Sequence, residues 1–345
     1  MHSVLKPTLI LCALTVLALQ GGAQQGSPPA AGRTRLLTAD GGRVDWSKQN
    51  KIAFDRRGHN GFYDIWVINP DGTGERCLTC AQSAAPQKNK GNPAWDPSGR
   101  YIVFEGQKDR TLPFLNHLAE PGRGVANDLW LMDAGGLRYW KLVDVPRLPA
   151  GGVLHPHFSN DGNQLIWSQL LRSSGKLGIW EIKLAKFAVV NGNPQIGEIH
   201  SFTPGPVHKF YETHGFSPDN RQILFTAQIG TGLADIFTMD VAAGQTKDLT
   251  NAPDSWDEHA QFSPDGRRIV WASSRSLANG LNLWIMNRDG SEPRLLMDFH
   301  HPGAPAYTTG IGPADSSWSP DGRSLAVYVI SDERETKGEI WILDL

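Results

Sequence analysis

Phe262-Ser263-Pro264-Asp265-Gly266-Arg267-Arg268-Ile269-Val270-Trp271 decides the fold, because the chain writes this stretch six times. An aromatic residue opens it, a turn cluster follows, and nine residues after the aromatic a short apolar run ends. The pattern reads as a β-hairpin: Pro fixes φ, Asp bonds its own backbone, and Gly supplies the positive φ of a tight reversal. Further copies begin at Trp46, Trp95, Phe158, Phe216 and Trp318. Their turns are Ser47-Lys48-Gln49-Asn50, Asp96-Pro97-Ser98-Gly99, Ser159-Asn160-Asp161-Gly162, Ser217-Pro218-Asp219-Asn220 and Ser319-Pro320-Asp321-Gly322. The first copy is one residue short and lacks both Pro and Gly.

A second signature follows each hairpin: Asp64-Ile65-Trp66, Asp128-Leu129-Trp130, Gly178-Ile179-Trp180, Asp235-Ile236-Phe237, Asn282-Leu283-Trp284 and Glu339-Ile340-Trp341. These are third strands. Several lead through a turn into a fourth, as in Asn69-Pro70-Asp71-Gly72 before Arg76-Cys77-Leu78-Thr79. Four strands per unit, with copies 46 to 63 residues apart, are the sequence pattern of a β-propeller. Of the 12 tryptophans, all but Trp140 and Trp256 occupy repeat positions, where flat side chains fill the gaps between radially stacked sheets.

The sixth unit reaches Leu345 just after its third strand, and the missing fourth strand is found at the other end. Arg33-Thr34-Arg35-Leu36-Leu37-Thr38 matches the fourth strands Arg76-Cys77-Leu78-Thr79 and Lys247-Asp248-Leu249-Thr250. The predicted fold is therefore an all-β, six-bladed propeller of four-stranded blades, its N-terminal strand completing the last blade and removing an open edge. The aromatic-Ser-Pro-Asp-Gly hairpins followed by Asp-Ile-Trp strands resemble the TolB-like six-bladed β-propeller family over residues 33–345. That resemblance implies the fold, and an envelope binding role as its functional counterpart.

Lys6, the apolar run Leu9 to Leu19 and the small residues Gly21-Gly22-Ala23 predict a secretory signal over 1–23, followed by a flexible lead-in over 24–32. Cys12 lies inside the apolar run rather than behind a small residue at its end, which argues against lipidation. Residues 33–345 are then one propeller domain in a periplasmic or secreted protein without a transmembrane segment. The formal charge is −2 for the whole chain and −3 after removal of Lys6 with the signal, and no basic run is present, so no nucleic-acid partner is expected. Cys77 and Cys80 read as a local disulfide, since a strand end does little to lower a thiol pKa and no further zinc ligands stand nearby.

Propellers carry function in their connections. The tight turns share one face, and the longer, irregular connections share the other. Asp109 to Asn127 is the largest insertion between second and third strands, with Leu112, Phe114, Leu115 and Leu118 as a candidate cap, and Met297 to Asp315 is the longest crossing between blades. The irregular face is thus the expected working face, open to an envelope protein or a saccharide ligand. Most histidines fall on its connections or at the mouths of first strands. His155 and His157 precede Phe158, His214 precedes Phe216, His259 precedes Phe262, and Asp315 holds the same place in its blade as His155 and His259. Imidazoles around one axial mouth suit zinc, manganese or iron, so His155, His157, His214 and His259 are candidate metal ligands. Strand alternation puts His155 and His157 on one side and His214 at the opposite parity. The competing expectation is that these polar residues only tie neighbouring blades together.

Trp256, Asp257, Tyr211, Glu212 and Glu258 are candidate binding residues, with Trp256 as a stacking platform for a sugar or peptide. Oligogalacturonate lyases are similar in architecture, although seven-bladed. That likeness implies a histidine-held manganese at the channel mouth and proton abstraction from an acidic sugar, with His208, Tyr211 or His259 as candidate base. Prolyl-oligopeptidase-type enzymes use a similar propeller to screen substrates, but the sequence holds no Gly-x-Ser-x-Gly elbow to act as a nucleophile. A binding module and a metal-dependent lyase or hydrolase are the readings that remain.

Overall fold

Each hairpin is closed by its own turn side chains. In the fifth copy Ser263 Oγ donates to Asp265 Oδ1 at 2.6 Å, and Asp265 Oδ1 accepts the Arg267 N–H at 3.0 Å. Ser263 Oγ in turn accepts the Arg268 N–H at 3.0 Å, while Gly266 sits at φ +69°. The turns at Ser159, Ser217 and Ser319 repeat the Ser–Asp bond at 2.6 Å. In the irregular first copy Asn50 takes the positive φ, +60°, which its short polar side chain tolerates.

The computed structural model describes residues 32–146, 151–174, 177–204, 210–275, 280–332 and 338–345. The signal at 1–23, nearly all of the lead-in, and His208 lie outside the described residues. Strand β1 (Thr34–Thr38) comes first. The first blade is β2 (Val44–Trp46), β3 (Ile52–Arg57), β4 (Tyr63–Ile68) and β5 (Arg76–Cys77). The second is β6 (Lys90–Trp95), β7 (Tyr101–Gln107), β8 (Asn127–Asp133) and β9 (Tyr139–Val143), with a short 3-10 helix, Pro113–Ala119, between β7 and β8. The third is β10 (Gly152–Phe158), β11 (Gln164–Arg172), β12 (Ile179–Val190) and β13 (Asn193–Phe202). The fourth is β14 (Tyr211–Phe216), β15 (Gln222–Gly230), β16 (Leu233–Asp240) and β17 (Thr246–Asp248). The fifth is β18 (Asp257–Phe262), β19 (Arg268–Ser273), β20 (Asn282–Asn287) and β21 (Arg294–Met297). The sixth is β22 (Gly312–Trp318), β23 (Ser324–Ile330) and β24 (Gly338–Asp344).

Every group is an antiparallel sheet in chain order, and β1 pairs with β24 as the fourth strand of the last, with Thr34 opposite Leu343 and Leu36 opposite Trp341. The result is the six-bladed propeller closed by its N-terminal strand that the sequence predicts. Among the described residues no helix is long and apolar enough to cross a membrane.

The core consists of slabs between blades. The second strands place Phe54, Phe104, Trp167, Phe225 and Trp271 at one repeat position, all fully buried. Val103 and Leu131 of the second blade pack with Phe158 and Trp167 of the third, and Ile166 and Ile182 of the third with Phe225 of the fourth. Losing one such aromatic to Ala costs roughly 3–5 kcal/mol. The Asp of each Asp-Ile-Trp signature is a polar rivet. Asp64 accepts from Thr79 Oγ1 at 2.8 Å and pairs with Lys90 of the next blade at 2.8 Å, while Asp235 accepts from Thr250 Oγ1 at 2.9 Å. Buried carboxylates persist only when so partnered. Cys77 and Cys80 are bonded to each other, in agreement with the local disulfide expected.

Candidate functional site

The position three residues before each repeat aromatic carries Arg43, Asn92, His155, Thr213, His259 and Asp315. Around it the innermost strands break register: Gly91/Ala94, Leu154/His157, Thr213/Phe216, Glu258/Gln261 and Pro313/Ser316. Asn92, His155 and His259 take positive φ there, +49°, +47° and +54°. A non-glycine residue in that region costs about 1–2 kcal/mol, so the bulges must be held from outside. Asp55 does this for the second blade, accepting the Asn92 N–H at 3.0 Å, and it also accepts the Arg43 N–H of its own blade at 3.1 Å. Thr213 Oγ1 donates to the His155 carbonyl at 2.7 Å, while Ser168 Oγ accepts the Thr213 N–H at 3.0 Å.

Three imidazoles meet on the axis. The rings of His155 and His259 stack at 5.5 Å, and His214 stands edge-on to both at 6.0 Å. One nitrogen from each lies within 4.8 Å of the others, and all three residues are buried. Carboxylates surround them. Glu212 Oε1 is 3.0 Å from His155 Nε2 and 3.8 Å from His259 Nδ1. Asp315 Oδ1 is 3.3 Å from His259 Nδ1, its Oδ2 is 3.2 Å from Arg43 Nε, and Glu258 Oε1 is 3.5 Å from His259 Nε2. His214 Nε2 instead shares a hydrogen bond with Thr226 Oγ1 at 2.7 Å.

This packing splits the protonation states. Burial, reinforced by the charge of His259, holds the His214 imidazole well below its ordinary range, and burial does the same to His155. Burial alone would also lower His259, but the carboxylates of Asp315, Glu258 and Glu212 override it and push it up to about 10. Burial raises Glu212 to about 7, whereas His259, His155 and Arg43 outweigh burial at Asp315 and hold its carboxyl well below the usual carboxylate range. The resting cluster therefore holds an imidazolium, two neutral imidazoles and an anionic aspartate. His155 Nε2 and His259 Nδ1 are buried and meet Glu212 and Asp315 as ion pairs rather than through well-formed hydrogen bonds.

The parity expected for the histidines is corrected. The bulge at His155 rotates the strand, so His155 joins His214 and His259 while His157 does not. His157 instead lines a funnel of about 740 Å³ reached by all six blades, with its Nε2 buried and unpartnered. Burial lowers its pKa to about 4. His214 lines the same funnel, which opens among the Ser-Pro-Asp-Gly turns. That is the face opposite the one singled out by loop length. On the irregular side the large insertion folds inward: the Gly122 N–H donates to Asn92 Oδ1 at 3.0 Å, and a Cβ on Gly122 would collide with the Arg43 guanidinium.

Of the candidate binding residues, Glu212 and Glu258 stand at the cluster and the other three do not. Tyr211 is fully buried in the core beside Phe225, so it is corrected from binding residue or base to core residue. Asp257 is fully buried and committed to Arg275 Nη2 at 2.8 Å and Trp271 Nε1 at 3.1 Å. Trp256 is half-buried, donates from Nε1 to Glu258 Oε2 at 2.6 Å and tilts against Phe210, so it serves as a support for Glu258 rather than as a free platform. Arg43 and Asn92 are not among the expected site residues, although they stand at the repeat offset that marks His155.

No family model matches the chain. It is 23% identical over 258 residues to dipeptidyl-peptidase 5 of Porphyromonas endodontalis, covering 68% of this chain and 34% of that protein. It is 26% identical over 130 residues to the Tol-Pal system protein TolB of Francisella tularensis subsp. mediasiatica, covering 33% of this chain and 28% of that protein. The chain thus spans about a third of the length of these curated relatives. Among solved structures, TolB from Acinetobacter baumannii superposes with a TM-score of 0.57 at 17% identity, over 88% of this chain and 65% of that one. Oligogalacturonate lyase from Vibrio parahaemolyticus gives 0.54 at 12% identity, over 91% and 93%. At these identities the superpositions speak for the fold alone.

Proposed function

We propose that this TolB-like six-bladed propeller is an exported binding module of the cell envelope whose binding centre is a divalent metal on the propeller axis, held by His155, His214 and His259. The observation that carries the reading is the convergence of three buried imidazole nitrogens within 4.8 Å of one another below a funnel. Nitrogen donors with one carboxylate, Glu212, form a set suited to zinc, manganese or iron. Nε2 of His155 and Nδ1 of His259 support the fit, since both are buried and held only by ion pairs with Glu212 and Asp315, without an aligned hydrogen bond. When bound, the metal supplies Lewis acidity and a point of attachment for an anionic group entering by the funnel. Arg43 and Asp315 would keep the ring rigid, and Thr226 would orient His214 through its Nε2.

A second reading, a metal-dependent lyase or hydrolase acting on a saccharide, draws support from His157. His157 lines the funnel as His214 does, its Nε2 is buried without a hydrogen-bond partner, and burial keeps its imidazole neutral at pH 7, the state a base requires. Cobalt loading tests the metal centre itself. Protein stripped with chelator and titrated with Co(II) is expected to develop visible ligand-field bands at one equivalent, and His214→Ala is expected to lose them. Bands of equal strength in both proteins, or none in either, would remove the centre. Uronate polymers incubated with the loaded parent then separate the readings, since a binding module leaves them intact.

A further inference from the structure

The gap between the fifth and sixth blades lacks a contact that other gaps possess. Opposite the residue after the third-strand aromatic, four blades carry a cation on the fourth strand: Arg35 faces Ile342, Arg76 faces Val67, Lys247 faces Thr238 and Arg294 faces Ile285. Three of them reach the turn that joins third and fourth strands in the next blade. Arg35 donates to the Pro70 carbonyl, Arg76 to the carbonyls of Ala134 at 3.2 Å and Gly135 at 3.3 Å, and Lys247 to the Asp289 carbonyl at 2.7 Å. Each is a charge-assisted bond to main chain that closes the wedge between two blades.

Arg294 faces the sixth blade, whose third and fourth strands are not joined by such a turn among the described residues. Its third strand β24 and fourth strand β1 come from opposite ends of the sequence. Among the described residues the Arg294 side chain has no hydrogen bond or ion pair, and it lines a cleft of about 360 Å³. Ile285, Leu296, Met297, Trp318 and Leu343 give that cleft an apolar floor.

We propose that this cleft is a socket for a β-turn of a partner polypeptide, which presents a main-chain carbonyl to Arg294 and lays an apolar side chain over Leu296 and Trp318. The chain's own architecture argues for that occupant, since its homologous cations at the other gaps are satisfied by turn carbonyls. Charge argues against a small anion, because Asp265, Asp321 and Asp344 share the rim with Arg268 and Arg294. The socket lies off the axis and does not depend on the metal centre.

The probe is a backbone-cyclised peptide carrying Ile68-Asn69-Pro70-Asp71-Gly72-Thr73, the turn that Arg35 holds within the chain, titrated into the full protein by calorimetry. We expect saturable one-site binding that Arg294→Ala weakens about tenfold or more, the usual effect of losing a hydrogen bond to a charged group. Arg294 is exposed, so the variant is expected to fold as the parent does, and a matching circular-dichroism melt confirms it. His214→Ala should bind the peptide unchanged. Absence of binding at millimolar peptide, or equal binding by the parent and Arg294→Ala, overturns the socket.

Discussion

Replacing Asp315 by Asn keeps its shape and removes the charge that balances the axial ring. The Asp315 side chain is 13% exposed, and its oxygens lie 3.3 Å from His259 Nδ1 and 3.2 Å from Arg43 Nε. His259 rises from 6.5 to about 10 in the folded chain, which corresponds to roughly 5 kcal/mol between its protonation states. Asp315 is the foremost of the three carboxylates responsible, so its share is on the order of 2 kcal/mol. Stranding Arg43 adds a similar amount, for a total of about 4 kcal/mol at pH 7, as expected when a buried pair loses one partner. The sign with pH follows from the raised value. Stabilisation by His259 is complete below about 6.5 and lost as pH rises toward 10. In the variant that loss is finished at lower pH, so the deficit should narrow to about 2 kcal/mol by pH 10, where Arg43 alone still carries its charge. Urea unfolding followed by tryptophan fluorescence, in chelator, measures both values. A deficit below 1 kcal/mol at pH 7, or one unchanged between pH 7 and pH 10, would refute this account of the ring.

Because His259 must surrender its proton to bind a metal, zinc affinity should rise with pH up to about 10, with about one and a half protons released per zinc at pH 7, one from His259 and roughly half of one from Glu212. Calorimetry in buffers of different ionisation enthalpy reads that release, and a value near zero would contradict it. Asp257→Ala is expected to destabilise by roughly 3 kcal/mol while leaving metal content unchanged, since it strands partly buried Arg275, whereas the Asp257 contact toward the ring is made by its main-chain carbonyl. Reduction of the Cys77–Cys80 bond should cost only about 2 kcal/mol by chain entropy, because the loop it closes is so short. A shift several times larger in the urea midpoint would mean that the bridge does more than tether a strand end.

The blades were legible because each is opened by the same turn chemistry, and Ser263 with Asp265 closes its hairpin by the bonds that residue types alone suggest. Closure was legible because Arg35 and Leu36 repeat the pattern of other fourth strands. The axial ring was legible only in part. His155, His259 and Asp315 stand at one repeat offset, and that offset does bring them together. Side-chain alternation then failed for His157 and His214, because His155 adopts positive φ without any glycine to announce it. The side on which the funnel opens, among the tight turns, was not legible for a related reason. Loop length carries no sign of direction, and the insertion around Gly122 folds in over Arg43 and Asn92 rather than framing an entrance. Asp257 read as a candidate binding residue beside Trp256, yet its partners Arg275 and Trp271 are distant in sequence and could not be paired with it beforehand.

Metal content by plasma mass spectrometry, measured on the parent and on His155→Ala, His157→Ala and His259→Ala after dialysis against zinc, manganese and iron, tests the proposed centre most directly. The account predicts close to one ion per chain in the parent and in His157→Ala, and a loss of at least tenfold in the other two variants. Equal metal in all four proteins, or retention in His259→Ala with loss in His157→Ala, would contradict it.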